Sequence, residues 1–383
     1  MRIAFAIQHY PPYLGGAERQ AAILAPAMAE HCSNLTVVST RFSRQLPPSE
    51  PDGNARVIRL PTLASQPAKY VVNLLSSFVY FLFAFGRFDL VHAHCLSPFT
   101  LGAILAARLR ARPILVKICS VGALGEALKI KRSRLKGPFL WWLFRKADLI
   151  IAPTEIVADE LAREGIPRHK LRVVPNLLHR RPPPPNTDDR KATRAALELP
   201  ERLTLLYVGR LSPEKGLDRL MDIWPILSSN HDIGLLIVGD GPERARIEAW
   251  RDESGLGDSV KILGYQEDPE PYFQAADIFV FPSHSETFGN AIVEAMSYGL
   301  AVATTEVGVV KDWDGFEGIC RLDLEDPGHF HRQLSELISD QGLRRQLGSE
   351  AHAFVAERYL VEAGVRQYQA LYRGLLATIK ERL

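Results

Sequence analysis

The chain has 383 residues, 46% of them hydrophobic and 23% charged, and a formal net charge of +2. That length exceeds what one hydrophobic core usually supports, so two domains of ordinary size are expected. A charge so close to neutral argues against nucleic acid as a partner. Four cysteines, Cys32, Cys95, Cys119 and Cys320, are scattered without metal-ligand or disulfide spacing, which suits a reducing cytosol. Residues 1–7 are too short an apolar run for a signal peptide and read as a strand.

Apolar strands alternate with helical patterns from the first residue onward, the sign of strand-helix-strand units and parallel sheets. In the first half the predicted strands are 3–7, 35–39, 57–60, 90–92, 114–118, 149–152 and 171–174. Residues 179–190 then break all periodicity. Their four consecutive prolines favour a stiff extended segment, so 181–190 reads as a linker between a first domain, 1–180, and a second, 191–360. Further strands are predicted at 204–208, 233–238, 259–263, 278–281, 300–303 and 318–322, and a long amphipathic helix at 361–383. Two doubly wound α/β domains are expected, with ligands bound outside the carboxyl ends of the strands, in a cleft between them.

The loops after the strands carry the candidate chemistry. Gly15 and Gly16 stand at the mouth of a helix, either as a plain turn or as a place where a ligand meets free amides. His92 and His94 end a later strand, and alternate strand residues project to one face. Arg210 and Lys215 lie five positions apart around a turn, a forked donor and a point charge able to converge on a diphosphate. Gly239-Asp-Gly241-Pro follows the next strand but lacks the later glycine of a dinucleotide fingerprint. The most informative stretch is 281–303, which reads as a strand end, a polar loop, a helix from about Asn290 to Tyr298, a stop at Gly299 and another strand. Glu286 and Glu294 sit eight positions apart across the loop-to-helix junction. Its amides suit a phosphate and its carboxylates suit hydroxyls.

The pattern Pro282-Ser-x-x-Glu286-x-Phe288-Gly289-x-x-x-x-Glu294-Ala-Met-x-x-Gly299 resembles the Glu-x7-Glu signature of the retaining family 4 (group 1) glycosyltransferases, whose fold is GT-B. Gly15-Gly16-Ala-Glu18, Gly209-Arg210-Leu-x-x-x-Lys215-Gly216 and Val91-His92-Ala-His94 are similar to further motifs of that family. The resemblance implies two Rossmann-like domains facing across a cleft, with the C-terminal helix returning to the first. It also implies a hexosyltransferase-type enzyme that moves a sugar from a nucleotide-diphosphate sugar to an acceptor with retention. In that frame Gly15 and Gly16 lie over the diphosphate, which Arg210 and Lys215 hold. Gly241, Gly264 and Tyr265 lie at the nucleotide end. Glu294 takes the ribose hydroxyls, and Glu286, with Thr287, Phe288, Gly289 and Asn290, addresses the donor sugar. Glu286, Arg210 and Lys215 are the expected catalytic residues.

His94 and Ser120 are the acceptor-side candidates, with internal packing as the other reading of the histidine pair. Many family members have a histidine where this chain runs Lys117-Ile-Cys119-Ser120, so a protein general base is not expected and the leaving diphosphate takes the acceptor's proton. Asp312-Trp-Asp314 matches the Asp-x-Asp metal motif of the other large glycosyltransferase fold, but Arg210 and Lys215 make a metal unnecessary. Neither metal nor cofactor is expected. Residues 129–146 place seven basic residues around four aromatics, suited to anionic headgroups or, alternatively, to plain packing. Residues 70–85 are apolar but short for a membrane span and favour a core helix. A cytoplasmic protein touching the inner face of a membrane is expected, acting on a glycan or lipid-linked acceptor. The rival readings are a nucleotide-sugar epimerase and a non-catalytic nucleotide-sugar binding protein.

Overall fold

A computed structural model describes residues 1–13, 15–63, 68–119, 137–179, 182 and 187–380. The chain forms two compact units, Met1–His179 with Val361–Leu383, and Arg180–Leu360. Each is a parallel sheet with helices, as the strand-helix alternation predicts.

The sheet of the first unit runs β3-β4-β2-β1-β5-β6-β7-β8. Its strands are β1 (Arg2–Ile7), β2 (Asn34–Arg41), β3 (Ser49–Asp52), β4 (Ala55–Pro61), β5 (Leu90–His94), β6 (Ile114–Lys117), β7 (Leu149–Ala152) and β8 (Leu171–Val173). Neighbours are parallel except β3 and β4. That hairpin was not predicted: β3 is a short polar edge strand, Ser-Glu-Pro-Asp, with no apolar run to announce it. In β1, Ile3, Ala4, Phe5, Ala6 and Ile7 are all buried, as a strand covered on both faces requires.

The second unit orders its strands β11-β10-β9-β12-β13-β14, all parallel. They are β9 (Leu203–Val208), β10 (Ile233–Val238), β11 (Val260–Gly264), β12 (Ile278–Phe281), β13 (Ala301–Thr304) and β14 (Cys320–Arg321). Both sheets therefore reverse their strand order once, between β1 and β5 and between β9 and β12. In a doubly wound sheet the loops leaving the strands at that point diverge and leave a crevice for a ligand.

The helix Val361–Lys380 belongs to the first unit. Val361, Val365, Tyr368, Tyr372 and Leu375 form its buried stripe, and Tyr372 donates or accepts a 2.7 Å hydrogen bond with His92 Nδ1.

Three expectations need correcting. Half of the predicted linker 181–190, residues 181 and 183–186, lies outside the described residues, but 187–190 is already helical, in Thr187–Ala196. Asp188 and Asp189 occupy its first turn, where the helix dipole favours acidic side chains, and this start signal outweighs the preceding prolines. Cys95 and Cys119 are not free thiols but a disulfide, with Cα atoms 5.1 Å apart. His94 and Lys117 are register partners on adjacent parallel strands, so the residues just beyond them meet across a crossover that linear spacing cannot show. Finally, the helix Ala68–Ala84, predicted as a core helix, buries only Asn73, Ser77, Phe81 and Ala84.

Candidate active site

At the reversal in the second unit, the loops after β9 and β12 lock onto each other. The His284 amide donates to the Glu214 carbonyl (2.9 Å), and Ser283 Oγ donates to the same carbonyl (3.0 Å). Gly216 is left-handed (φ +66°), and a Cβ on it would overlap the Pro282 carbonyl, so only glycine lets the two loops approach this closely. Thr305 Oγ1, just past β13, donates to the Ser283 carbonyl at 2.5 Å and fixes the second loop from behind.

This packing brings Lys215 and Glu286 together. Lys215 Nζ donates to Glu286 Oε1, with their side chains 17% and 12% exposed, and Ser283 Oγ lies 3.4 Å from the same carboxylate oxygen. Lys215 Nζ also stands 5.7 Å from the centroid of the Phe281 ring. The neighbouring Arg210 side chain is exposed, and its carbonyl accepts a 3.0 Å hydrogen bond from the buried Tyr207 hydroxyl. Burial, then the Glu286 and Glu214 carboxylates, push the Tyr207 hydroxyl far above its ordinary range, so it remains a donor. The Ser212 hydroxyl and, more weakly, the Lys215 and Arg210 charges hold the Glu214 carboxyl below the usual range.

The helix Asn290–Ser297 starts from Gly289, with no side chain capping its first turn. Its leading amides add partial positive charge next to the Lys215–Glu286 pair. Glu294, one turn after Asn290, lies on the same helix face and is partly exposed. Phe288 turns inward: its ring meets Tyr359 edge-on at 6.0 Å, and its carbonyl accepts from the Val309 amide at 2.8 Å. Any ligand contact from Phe288 must therefore come from its backbone.

Hydrogen bonds tie the next loops to this centre. The Gly209 amide donates to the Val238 carbonyl (3.0 Å), Leu211 to Asp240 (3.0 Å) and Glu243 back to Leu211 (3.0 Å), which seats Gly241 against the Arg210 loop. The Gly239 amide donates to the Gly264 carbonyl at 2.8 Å, so the carbonyl of this residue, expected at the nucleotide end, is already engaged inside the fold. The Tyr265 ring is exposed beside it.

The predicted residues of the first unit fall in other surroundings. Gly15 caps the helix Gly16–Ala29. The Glu18 carboxylate accepts from the Gly15 amide, an amide expected to meet a diphosphate, and burial raises its carboxyl above the usual range. His94 is 1% exposed, stacks on His92 with centroids 4.0 Å apart and packs against Phe5. Neither of its ring nitrogens has a partner among the described residues. Burial and then Lys117 lower its imidazole to about 3. Lys117 is itself buried, pushed down to about 7 by that burial, with Nζ 3.4 Å from the Pro175 carbonyl and 5.9 Å from the Tyr368 ring centroid. Ser120 lies outside the described residues.

Ser283, Tyr207 and Lys117 were not among the predicted site residues. Ser283 was visible in the Pro-Ser motif and Lys117 as a charge ending an apolar strand, but Tyr207 gave no signal beyond its strand. Around Asp312-Trp-Asp314, Trp313 is buried and donates to the Tyr359 hydroxyl at 2.6 Å. Among the described residues no group of three or more His, Cys, Asp or Glu side chains is placed to hold a metal ion.

A family model described as "Glycosyl transferases group 1" matches residues 189–354, and one described as "Glycosyltransferase Family 4" matches residues 14–179. The lipopolysaccharide core biosynthesis glycosyltransferase LpsE of Rhizobium meliloti is 28% identical over 233 residues, 60% of this chain and 65% of that protein's length. Among solved structures, the sucrose-phosphate synthase of Thermosynechococcus elongatus superposes with a TM-score of 0.78 at 22% identity, covering 99% of this chain and 100% of that one. HepE of Anabaena, solved in complex with UDP and glucose, gives 0.77 at 19% identity, covering 98% and 100%. At these identities the two structures speak to the fold, which is GT-B.

Proposed function

Since the chain belongs to the group 1, family 4 glycosyltransferases, we propose that it transfers a hexose from a nucleotide-diphosphate sugar to a hydroxyl acceptor, with retention and without a metal. The observation that carries this reading is the Lys215–Glu286 pair, held at the strand-order reversal between the exposed Arg210 and the uncapped start of the helix Asn290–Ser297. The three positive elements suit a diphosphate, and they would offset the charge that grows on it as the sugar leaves. In this assignment Arg210 and Lys215 hold the diphosphate, Glu286 addresses the donor sugar and Glu294 the ribose hydroxyls.

The sugar C1–O bond to the diphosphate breaks while the acceptor oxygen bonds to C1 on the same face. The acceptor's proton passes to the leaving diphosphate, so no protein base is required. This fits His94, which is buried and held neutral by burial at ordinary pH. The acceptor is a glycan or a lipid-linked sugar, met in the cytoplasm at the inner face of a membrane. Residues 129–146 supply a peripheral contact, of which 129–136 lie outside the described residues.

Thermal shift and donor hydrolysis across UDP-, GDP- and ADP-sugars test the reading. One nucleotide class should raise the melting temperature, by mass action on the folded state, and be slowly hydrolysed. No shift with any of them would end the proposal. Interconversion of the donor sugar without acceptor would point to an epimerase, and binding without hydrolysis or transfer to a non-catalytic binding protein.

A further inference from the structure

The helix Ala68–Ala84 is apolar on both sides. Its buried side carries Asn73 and Ser77 along with Phe81 and Ala84, while Val71, Leu75, Val79 and Phe83, four apart along one stripe, face outward. Each of the first three is about half exposed, and Phe83 is 80% exposed. The polar residues are used in packing: Asn73 Oδ1 accepts from the Thr62 hydroxyl at 2.5 Å, and Ser77 Oγ donates to the Phe99 carbonyl at 2.6 Å. Phe99 and Gly102 lie on the neighbouring helix Pro98–Leu109, and a Cβ on Gly102 would overlap Ser77 Oγ. Ser77 and Gly102 thus join the two helices through small residues, as happens where the surroundings are apolar, and while Phe81 enters the core, Val71, Leu75, Val79 and Phe83 are left outside.

Charge along this helix pair is one-sided: residues 68–112 contain five lysines and arginines, Lys69, Arg87, Arg108, Arg110 and Arg112, and one acidic residue, Asp89. Lys69, partly exposed, lies in the first turn of the helix and the exposed Arg87 follows it, while the exposed Arg108 and Arg110 end its neighbour, Arg108 paired with Asp148 at 2.5 Å. An apolar stripe among cations fits the boundary between acyl chains and anionic headgroups.

We infer that the helix Ala68–Ala84 is a membrane-facing surface of the first unit, lying on an anionic bilayer with Val71, Leu75, Val79 and Phe83 in its apolar layer. The inference rests on the peripheral contact proposed above and moves its apolar part to a helix predicted to lie in the core. It does not depend on the transfer chemistry.

Flotation of the full chain with vesicles of neutral phosphatidylcholine, with and without 30% phosphatidylglycerol (about one lipid in three, enough to set a negative surface potential), tests it. Wild type should float with the anionic vesicles at low salt and be released as salt shortens the screening length. The combined variant Val71→Gln, Leu75→Gln, Val79→Gln and Phe83→Gln should lose about thirty-fold or more in partitioning, and Phe83→Ser alone roughly five-fold. The single exposed change keeps the test valid if the fourfold variant fails to fold. Both should keep the donor-induced thermal shift of wild type. Absence of wild-type binding would overturn the membrane contact altogether. Undiminished binding of the variants would return the contact to 129–146 and overturn the helix assignment. Self-association abolished by the variants, without vesicle binding, would make the stripe an interface between copies and overturn the lipid assignment.

Discussion

The two units reverse strand order at the same topological point, yet they put opposite environments there. In the second unit the loops after β9 and β12 keep Lys215 and Glu286 paired but accessible, next to an exposed Arg210. In the first unit the ends of β5 and β6 draw His92, His94 and Lys117 inward, against Phe5 and the tyrosines of the C-terminal helix. A crevice at a switch point is therefore only an opportunity. Whether it binds a charged ligand depends on whether its cations can stay charged. Burial pushes Lys117 down to about 7 and so favours its neutral form, whereas Arg210 stands in solvent.

The sharpest way to break this contrast is Lys215→Ala, which removes positive charge from the diphosphate and strands the Glu286 carboxylate. Steady-state transfer or donor hydrolysis should show a loss in kcat/KM on the order of 100-fold to 1,000-fold, and an unchanged value would remove Lys215 from the machinery. Gly216→Ala forces a Cβ into the Pro282 carbonyl at a left-handed backbone position and should destabilise the second unit by on the order of 3 kcal/mol. Its thermal melt should fall accordingly, and retention of full stability would mean the two loops are not locked as described. Glu294→Ala should weaken donor binding by about 1.5–3 kcal/mol, read by titration calorimetry, if the carboxylate meets the ribose hydroxyls.

On the first-unit side the effects are smaller. Folding lowers the Lys117 value from the ordinary 10.5 to about 7, so the unfolded chain binds more protons between those values and stability rises with pH across that window. Lys117→Met should flatten the rise, leaving the melting temperature nearly level from pH 7 to 10 while that of wild type climbs by a few degrees. Equal slopes would show that Lys117 keeps its proton on folding. His94→Asn should leave donor affinity within about twofold of wild type, because it removes no exposed charge; a larger loss would place that histidine at the ligand after all.

Much of the candidate site was legible because its chemistry is carried by short segments. Glu286, Gly289, Asn290 and Glu294 lie within one loop and one helix, and Arg210, Lys215 and Gly216 within another loop, so spacing alone placed each group after its strand. The direct Lys215–Glu286 contact spans 71 positions and depends on two loops sharing hydrogen bonds, which no local pattern contains. Phe288 read as a ligand residue for the same reason: its motif position was visible, its inward turn onto Tyr359 was not.

The alternation of apolar strands and helices by itself determined the doubly wound α/β architecture, since parallel strands covered on both faces must be continuous apolar runs. The tertiary structure alone decided which titratable groups keep their charge and which apolar groups face outward. The Cys95–Cys119 bond, the buried histidines and Lys117, and the outward apolar stripe of the helix Ala68–Ala84 all follow from which elements lie beside one another. Burial and pairing belong to neighbours in space, and neighbours distant along the chain leave no periodic trace in it.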